Sequence, residues 1–453
     1  MSPTERAVAG LEPTRFSTFD GGFASTNLLQ RPDRYRHIEA DLGHAKRIAR
    51  GGGMSYAAAS FGSRSIVQQM TAFNRLLAFD RDRRTLRVEA GAEIGSLAAW
   101  AADRGLLMPV LPGYPTITVG GCIAADVHGK NPLRDGTFCD WVTAMTLYHP
   151  RHGMRSLDPL RDREVFEATC GGYGLTGLII DATLRLVEQR GAAFAIEATP
   201  VASLQQATEA VALGSRSHEF AYSWHDGTLR GSAFGGGIVF AGSWTGELVM
   251  GQGKYGDGRG SLAMTAESRG KWPVCLWNRA TARFGNAYFR RRALRCSPEV
   301  KSPSDAAFPF ARQTLYHRMF GRRGLAEVQV LVADRSWSVF TERLAASVER
   351  IGPPLMMMSI KRLRGRSRSL GFSGEGSLIA LDLVRSSTTS RFLDVLDKLV
   401  VETGSQPNLA KDSRLPQAVA AAALPRYEAF REQLKRWDPD RLYESELSRR
   451  LEL

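Results

Sequence analysis

The sequence predicts an α+β fold in unequal parts, and three observations carry that prediction. Up to about residue 192, short β-rich segments of alternating polarity are interspersed with brief helical stretches. Beyond that point the strands are followed by longer amphipathic helices, the pattern of helices packed on one face of an antiparallel sheet. Three glycine-bearing segments, at residues 50–56, 109–131 and 170–180, break the first part into loops. The predicted division is 1–192, 193–405 and a charged, helical C-terminal segment 406–453 that returns to the first part.

Lys46–Arg50 reads as a short strand running into Gly51-Gly52-Gly53. Thr85–Ala90 alternates and is β-rich, and Gly91 ends it; Ile94–Asp103 has helical spacing and stops before Gly105. Asp140–Tyr148 is apolar and reads as a buried strand, Glu164–Thr169 as a short helix and Leu178–Val187 as an alternating strand. Ala193–Pro200 opens the second part as a strand, and Ser203 is placed to cap a helix over Ser203–Leu213. A glycine-rich stretch, Gly231–Gly258, precedes a basic, aromatic segment. Val328–Ala333 and Ser377–Val384 read as strands, with Trp337–Ile351 and Thr388–Thr403 as amphipathic helices packed on them.

With 43% hydrophobic and 23% charged residues in 453, the chain has ordinary globular composition. No apolar run has the length of a membrane span, and the first twenty residues lack a signal-peptide layout, so a cytoplasmic protein is expected. The five cysteines are widely spaced, without a Cys-x-x-Cys pair; neither a disulfide framework nor a zinc site is expected, and no metal. The net charge of +14 favours anionic partners. Two clusters concentrate it: Lys361, Arg362, Arg364, Arg366 and Arg368, and Arg290, Arg291, Arg292 and Arg295 after Tyr288-Phe289. Either cluster could be a solvated face; both in one half of the chain point towards an anionic membrane surface. No nucleic-acid motif accompanies them.

Two Gly-x-Gly-x-x-Gly matches mislead. At Gly172–Gly177 a helix precedes and a strand follows, the reverse of a dinucleotide fold. Gly251–Gly256 lies in a glycine-rich stretch without a helix behind it. The stretch from Pro109 to Asn131 is more telling. It combines a Pro-Gly turn, a Thr118-Val119-Gly120-Gly121 step, an Ala-Ala-Asp turn and His128-Gly129-Lys130-Asn131. Glycines let backbone amides approach a ligand, and successive amides form an anion nest. A titratable His and a Lys follow at once, the expected edge of a site for a phosphate-bearing cofactor.

In order and placement, Arg50–Tyr56, Pro109–Asn131 and Cys170–Ile180 resemble the FAD-binding domain of the vanillyl-alcohol-oxidase (PCMH-type) superfamily. His128–Asn131, Gly171–Gly177, Ala410-Lys411-Asp412-Ser413-Arg414 and the closing Arg-Arg-Leu-Glu-Leu are similar to its decaprenylphosphoryl-β-D-ribose 2′-oxidase branch. The resemblance runs from about Arg47 to the C-terminus and is weakest between about residues 230 and 320. It implies an FAD site lined by Gly51, Gly52, Gly53, Ser55, Tyr56, Gly113, Thr118, Val119, Gly120, Gly121, Ala125, Asp126, Val127, His128, Ile180 and Asn408. Residues 53–56 offer neither His nor Cys, so non-covalent FAD is expected.

The implied activity is oxidation of a secondary hydroxyl, the 2-hydroxyl of a polyprenyl-phosphate-linked pentose, to a ketone. An NAD(P)H-dependent short-chain reductase would then complete an epimerisation, in cell-envelope arabinan synthesis on the inner face of the plasma membrane. Such chemistry needs a group to take the hydroxyl proton. His128 and Lys411 are the implied acid/base or oxyanion-stabilising groups, with Tyr56 in support. Trp224, Tyr316, Gln329, Lys361 and Lys411 are the implied substrate residues. The competing roles are a flavin-packing His128, a Lys411 paired with Asp412 or a flavin phosphate, and core packing for Trp224 and Tyr316. A soluble aldonolactone or alditol oxidase and a non-catalytic flavin-fold subunit are the alternative functions. Where the family pattern has Asn and Cys in one strand, this chain has Leu378 and Ala380; Asn408 replaces a Tyr, and Tyr56-Ala57-Ala58 replaces Tyr-Gly-Asp. These departures leave the substrate open.

Overall fold

The structure, a computed structural model, describes residues 10–39, 42–246, 272–309 and 314–453. β1 (Glu12–Ser17) and β2 (Ala24–Gln30) pair antiparallel, and β3 (Arg47–Arg50) and β4 (Ile66–Gln69) lie parallel beside them in the order β1-β2-β4-β3. A five-stranded antiparallel sheet comes next. It is built from β5 (Leu76–Asp80), β6 (Thr85–Glu89), β8 (Val142–His149), β9 (Gly153–Leu157) and β10 (Leu178–Arg185), in the order β5-β6-β10-β8-β9. The two-residue strands β7 (Leu106–Leu107) and β11 (Val187–Glu188) pair with each other.

Among the helices of this part, three bear on the site. α1 (Ile94–Ala102) buries Ile94, Leu97, Ala98 and Ala101, the i, i+3, i+4, i+7 stripe of a helix with one core face. α2 (Val119–Ala125) starts at Thr118, whose hydroxyl accepts from the Gly121 N–H, and stops at Asp126 in the left-handed region. α3 (Arg163–Thr169) ends just before the Gly172–Gly177 segment and β10 begins just after it, so the strand-then-helix order of a dinucleotide fold is absent there. The segment Gly251–Gly256 lies outside the described residues.

An eight-stranded sheet begins at Ala193. Its strands are β12 (Ala193–Val201), β13 (Phe220–Asp226), β14 (Gly237–Thr245), β15 (Glu299–Lys301), β16 (Leu325–Val332), β17 (Leu355–Leu363), β18 (Gly376–Val384) and β19 (Gln406–Pro407), ordered β15-β12-β14-β13-β17-β18-β16-β19. With them come α4 (Leu204–Ser217), α5 (Arg279–Arg295), α6 (Thr314–Arg318), α7 (Asp334–Ile351) and α8 (Ser387–Glu402). The sheet is two-faced because side chains alternate along a strand. Val328, Val330 and Val332 of β16 and Ile379, Leu381 and Leu383 of β18 pack with Phe340, Leu344, Val348, Phe392 and Leu396 of α7 and α8. The intervening Glu327, Gln329, Ala380 and Asp382 face a cavity instead.

After β19 the chain crosses back. Leu409, Leu447, Leu451 and the buried face of α9 (Tyr427–Trp437) pack on Ile48, Phe61, Tyr173 and Leu175. The Arg47 N–H donates to Leu442 O and the Glu444 N–H to Arg47 O, at 2.8 and 3.0 Å.

Several elements go beyond the sequence expectations: β1, β2, β4, β5, β9 and α2 in the first part, and others in the second. The strand β14 sits where a glycine-rich loop is expected, and β13 and β17 are additional central strands. The basic, aromatic segment is the helix α5, which buries only Ala282. A helix without an apolar stripe carries no 3.6-residue hydrophobic signal, so its pattern is invisible to periodicity.

Candidate active site

The glycine loop after β3, the N-terminus of α2, the polar face of the large sheet and the segment after β19 enclose one cavity of about 620 Å³. Ligand sites for cofactors and small substrates have this scale. Gly51, Gly52, Gly53, Ser55, Tyr56, Gly113, Thr118, Gly120, Gly121, Ala125, Val127, His128 and Asn408 line it, as do Trp224, Tyr316, Gln329, Lys361 and Lys411. Three of the implied cofactor residues stand behind the wall. Val119 is fully buried at the start of α2. Asp126 is turned to the Cys139 N–H and to Arg368. Ile180 packs with Met70, Phe73 and Tyr148.

The glycine loop is pressed against the segment preceding α2. A Cβ on Gly51 would lie 2.1 Å from Thr118 Oγ1, and one on Gly52 would lie 2.3 Å from the Thr116 carbonyl oxygen. The expected anion nest at Thr118–Gly121 is already committed: the N–H groups of Val119 and Gly120 donate to Ala92 O and Ala90 O, and that of Gly121 to Thr118 Oγ1. The amides of Gly52, Gly53, Met54 and Ser55 are different. Among the described residues no protein acceptor takes them. The anion-ready backbone is therefore the first loop, displaced from where the sequence places it.

Polar chemistry gathers where the loop meets the sheet. Tyr56 Oη donates to Glu327 Oε2 at 2.8 Å, Lys411 Nζ donates to the same oxygen at 3.1 Å, and Gln329 Nε2 donates to Glu327 Oε1 at 2.7 Å. Lys411 Nζ also lies 4.4 Å from the centre of the Tyr56 ring. Asn408 Nδ2 donates to Gln329 Oε1 at 2.8 Å, and the Tyr56 N–H donates to Ala410 O at 3.0 Å, so the returning segment is fastened to the loop. Lys411 pairs with Glu327 rather than Asp412, whose Oδ1 accepts from the Arg414 and Leu415 amides. Beside this group, Tyr316 Oη donates to Asp382 Oδ2 at 2.6 Å.

Burial and charge set the protonation states. Burial raises the Glu327 carboxyl, but Lys411 and the hydrogen bonds from Tyr56 and Gln329 prevail and hold it below the usual carboxylate range. His128 is pushed down to about 3 by burial and then by the Lys361 and Lys411 charges. It is a neutral imidazole near pH 7. Its Nδ1 lies 3.0 Å from Gly129 O, which fixes the proton on Nδ1 and leaves Nε2 as an acceptor. Lys361 donates to the same carbonyl at 3.3 Å and is lowered to about 8 by burial and Lys411; Lys130 is lowered to about 7 by burial, Lys361 and Lys301. Closely set cations that depress one another favour an anion between them.

Trp224 is buried against Phe289, with ring centres 4.7 Å apart, and Tyr316 is engaged with Asp382, so both serve packing or hydrogen bonding and still border the cavity. Asn131, the end of the His-Gly-Lys-Asn run, is a structural tie: its Nδ2 donates to Ser215 O and Glu219 O. Glu327 and Asp382 are the residues that sequence reasoning passed over. Their signal was present, because each is a lone acid at an alternating position of an otherwise apolar strand.

The FAD binding domain family matches residues 40–154, which hold the glycine loop, α2 and His128. The chain is 28% identical to the decaprenylphosphoryl-β-D-ribose oxidase of Mycolicibacterium smegmatis, over 91% of each chain. Residues 40–154 form a PCMH-type FAD-binding domain, and the cofactor is FAD. Over 79% of its length it is also 24% identical to an uncharacterized protein of Streptomyces coelicolor, covering 99% of that protein. Mouse L-gulonolactone oxidase is 28% identical over 26% of this chain and 27% of its own. The flavoprotein is an oxidoreductase acting on hydroxyl groups. Its cavity fits the cofactor: the amides of residues 52–55 suit the pyrophosphate, and the loop that carries them admits no side chain at Gly51 or Gly52.

Proposed function

We propose that the flavoprotein oxidises the 2-hydroxyl of a polyprenyl-phosphate-linked pentose to the ketone, as the first half of an epimerisation completed by an NAD(P)H-dependent short-chain reductase. The observation that carries this reading is the group of facing cations Lys130, Lys361 and Lys411 on the cavity wall, which suits a sugar phosphate, together with the full-length similarity to decaprenylphosphoryl-β-D-ribose oxidase. Bound FAD supplies the hydride acceptor. Lys411, fixed by Glu327 and the Tyr56 ring, is a charged donor for the reacting oxygen, and His128 Nε2 is a neutral acceptor that orients a hydroxyl. Lys361 and Lys130 hold the phosphate. FAD is held without a covalent bond, so acid precipitation is expected to leave the flavin in the supernatant.

Anaerobic bleaching of the flavin absorbance against lipid-linked and free sugars tests the substrate. Bleaching by the lipid-linked pentose supports the proposal. The partial similarity to L-gulonolactone oxidase favours one other reading, a soluble aldonolactone or alditol oxidase, and bleaching by free sugars alone selects it. A purified protein without flavin absorbance points to a non-catalytic subunit. His128→Ala and Lys411→Ala are expected to retain FAD and lose bleaching; normal reduction by both overturns the residue assignment.

We place the membrane contact on α5 rather than on residues 361–368. In the latter, Lys361 faces the cavity, Arg362 is paired with Asp334, Arg366 with Glu167 and Arg368 with Asp126 and Asp140. Helix α5 carries six arginines and no acid, with Phe284 and Tyr288 78% and 65% exposed. Its Asn286, Phe289 and Ala293 border the cavity. That composition suits an interfacial helix on anionic lipid. The contact is peripheral, on the cytoplasmic face; no helix among the described residues is long and apolar enough to cross a membrane.

A further inference from the structure

We propose that Glu327 and Asp382 form a cross-strand carboxyl pair that holds at most one proton and takes that proton from the substrate hydroxyl through Tyr316. The proposal takes its substrate from the reading above, but the pair itself is defined by the fold.

Glu327 on β16 stands directly opposite Asp382 on β18 in the antiparallel register, and both side chains face the cavity. Like charges opposite one another across strands are destabilising. Among the described residues one cation is bonded to the pair, Lys411, 3.1 Å from Glu327. Two carboxylates beside one ammonium are best satisfied when one of them carries a proton.

The hydrogen bonds say which one. Glu327 accepts from Tyr56, Lys411 and Gln329, whereas the contact at Asp382 is Tyr316 Oη at 2.6 Å. The negative charge settles on Glu327 and the exchangeable proton on Asp382. In accord, Asp382 is raised to about 7 by burial and then by the Glu327 charge, against the Tyr316 bond and Lys411. The other titratable or charged groups around the pair are Tyr56 from the glycine loop, Tyr114 with its partner His317, and Lys361 from β17. His128 has little proton affinity, and Lys361 and Lys130 are assigned to the phosphate, so the reacting hydroxyl needs another acceptor, and ionised Asp382 is the one placed to serve.

The balance is direct. As the carbon–hydrogen bond breaks and its electron pair leaves as hydride, the substrate O–H bond breaks and a C=O bond forms. The hydroxyl proton passes to the Tyr316 oxygen, and the proton already on Tyr316 moves to the ionised Asp382 carboxylate that it faces. One carboxylic O–H bond is formed for each hydroxyl oxidised.

The test is infrared titration of the FAD-bound protein without substrate, from about pH 5 to about pH 9, which brackets the raised carboxyl. A carboxylic C=O band is expected to vanish with a midpoint near 7, to be missing in Asp382→Asn and to move to lower pH in Glu327→Gln. Anaerobic flavin reduction is expected to speed up as pH rises through the same midpoint. Asp382→Asn should slow it by about 10²-fold or more and flatten the pH profile. Tyr316→Phe, which leaves both carboxyls in place, should shift the infrared midpoint and covers the case in which Asp382→Asn does not fold. No titrating band, or the same band in Asp382→Asn, overturns the pair; so does an unaltered rate and pH profile in Asp382→Asn. Failure of every sugar to reduce the flavin overturns the substrate reading and leaves the titration standing.

Discussion

Lys411 shows how much of this site depends on single side chains. Its ammonium meets the Glu327 carboxylate and the face of the Tyr56 ring together, so it cannot be removed without stranding a buried charge. Lys411→Met is expected to slow flavin reduction by about 10²- to 10³-fold, the scale of losing one donor to developing charge. It should also lower stability by roughly 1–3 kcal/mol through the unpaired carboxylate. Adding Glu327→Gln should restore part of that stability, and urea midpoints of the four members of the cycle read the coupling. His128 behaves differently. Its imidazole is neutral across the working range, so His128→Gln should retain the pH inflexion of reduction while altering substrate affinity. A profile that flattens in His128→Gln would reassign the base to this residue.

Among the elements, the glycine loop and α5 make opposite demands. The loop tolerates no Cβ at Gly52, because the obstacle is the backbone carbonyl of Thr116 and cannot rotate away. Gly52→Ala should therefore purify with little bound flavin, measured as the ratio of visible to ultraviolet absorbance. In α5 Arg290, Arg291 and Arg295 are exposed. Replacing Arg290, Arg291 and Arg295 by Ser should weaken sedimentation with anionic liposomes and leave the fold intact. The same replacement at Arg362, Arg366 and Arg368 should lower thermal stability and spare liposome binding, because those guanidinium groups are tied to carboxylates of the fold. In the first part of the fold the sequence made β3, β6, β8, β10, α1 and α3 legible, where periods are clear and breaks fall at glycines, but not β1, β2, β4, β5, β9 or α2. It also announced the site through the glycine segments and Lys411. Helix α5 escaped because it buries only Ala282, and β14 because glycines precede it. The partners of Lys411 escaped for another reason. Glu327 and Asp382 meet only through the pairing of β16 with β18, and Tyr316 reaches them from α6, relations that no local pattern encodes.

At the scale of the whole molecule, the buried acid couples chemistry to stability. Asp382 has a carboxyl raised in the folded state from 3.8 to about 7. Between those values the native protein holds a proton that the unfolded chain has released, so the contribution of this group to stability falls as pH rises through the window. His128 acts in the other direction: its folded value of about 3 is below the unfolded one, and stability is lost as pH falls from about 6.5 towards it. Asp382→Asn should therefore be relatively more stable than the parent at pH 8 than at pH 5, on the order of 1–4 kcal/mol, read from urea unfolding at the two pH values. An equal difference at both would contradict the raised carboxyl. The return of the chain after β19 has a consequence of a different kind. The glycine loop after β3 borders the cavity on one side, while Asn408, Ala410 and Lys411, from far along the chain, border it on the other and fasten Tyr56. The cavity is thus sealed by a contact between segments more than three hundred residues apart, and loosening that contact would unfasten Tyr56 and open the cavity together.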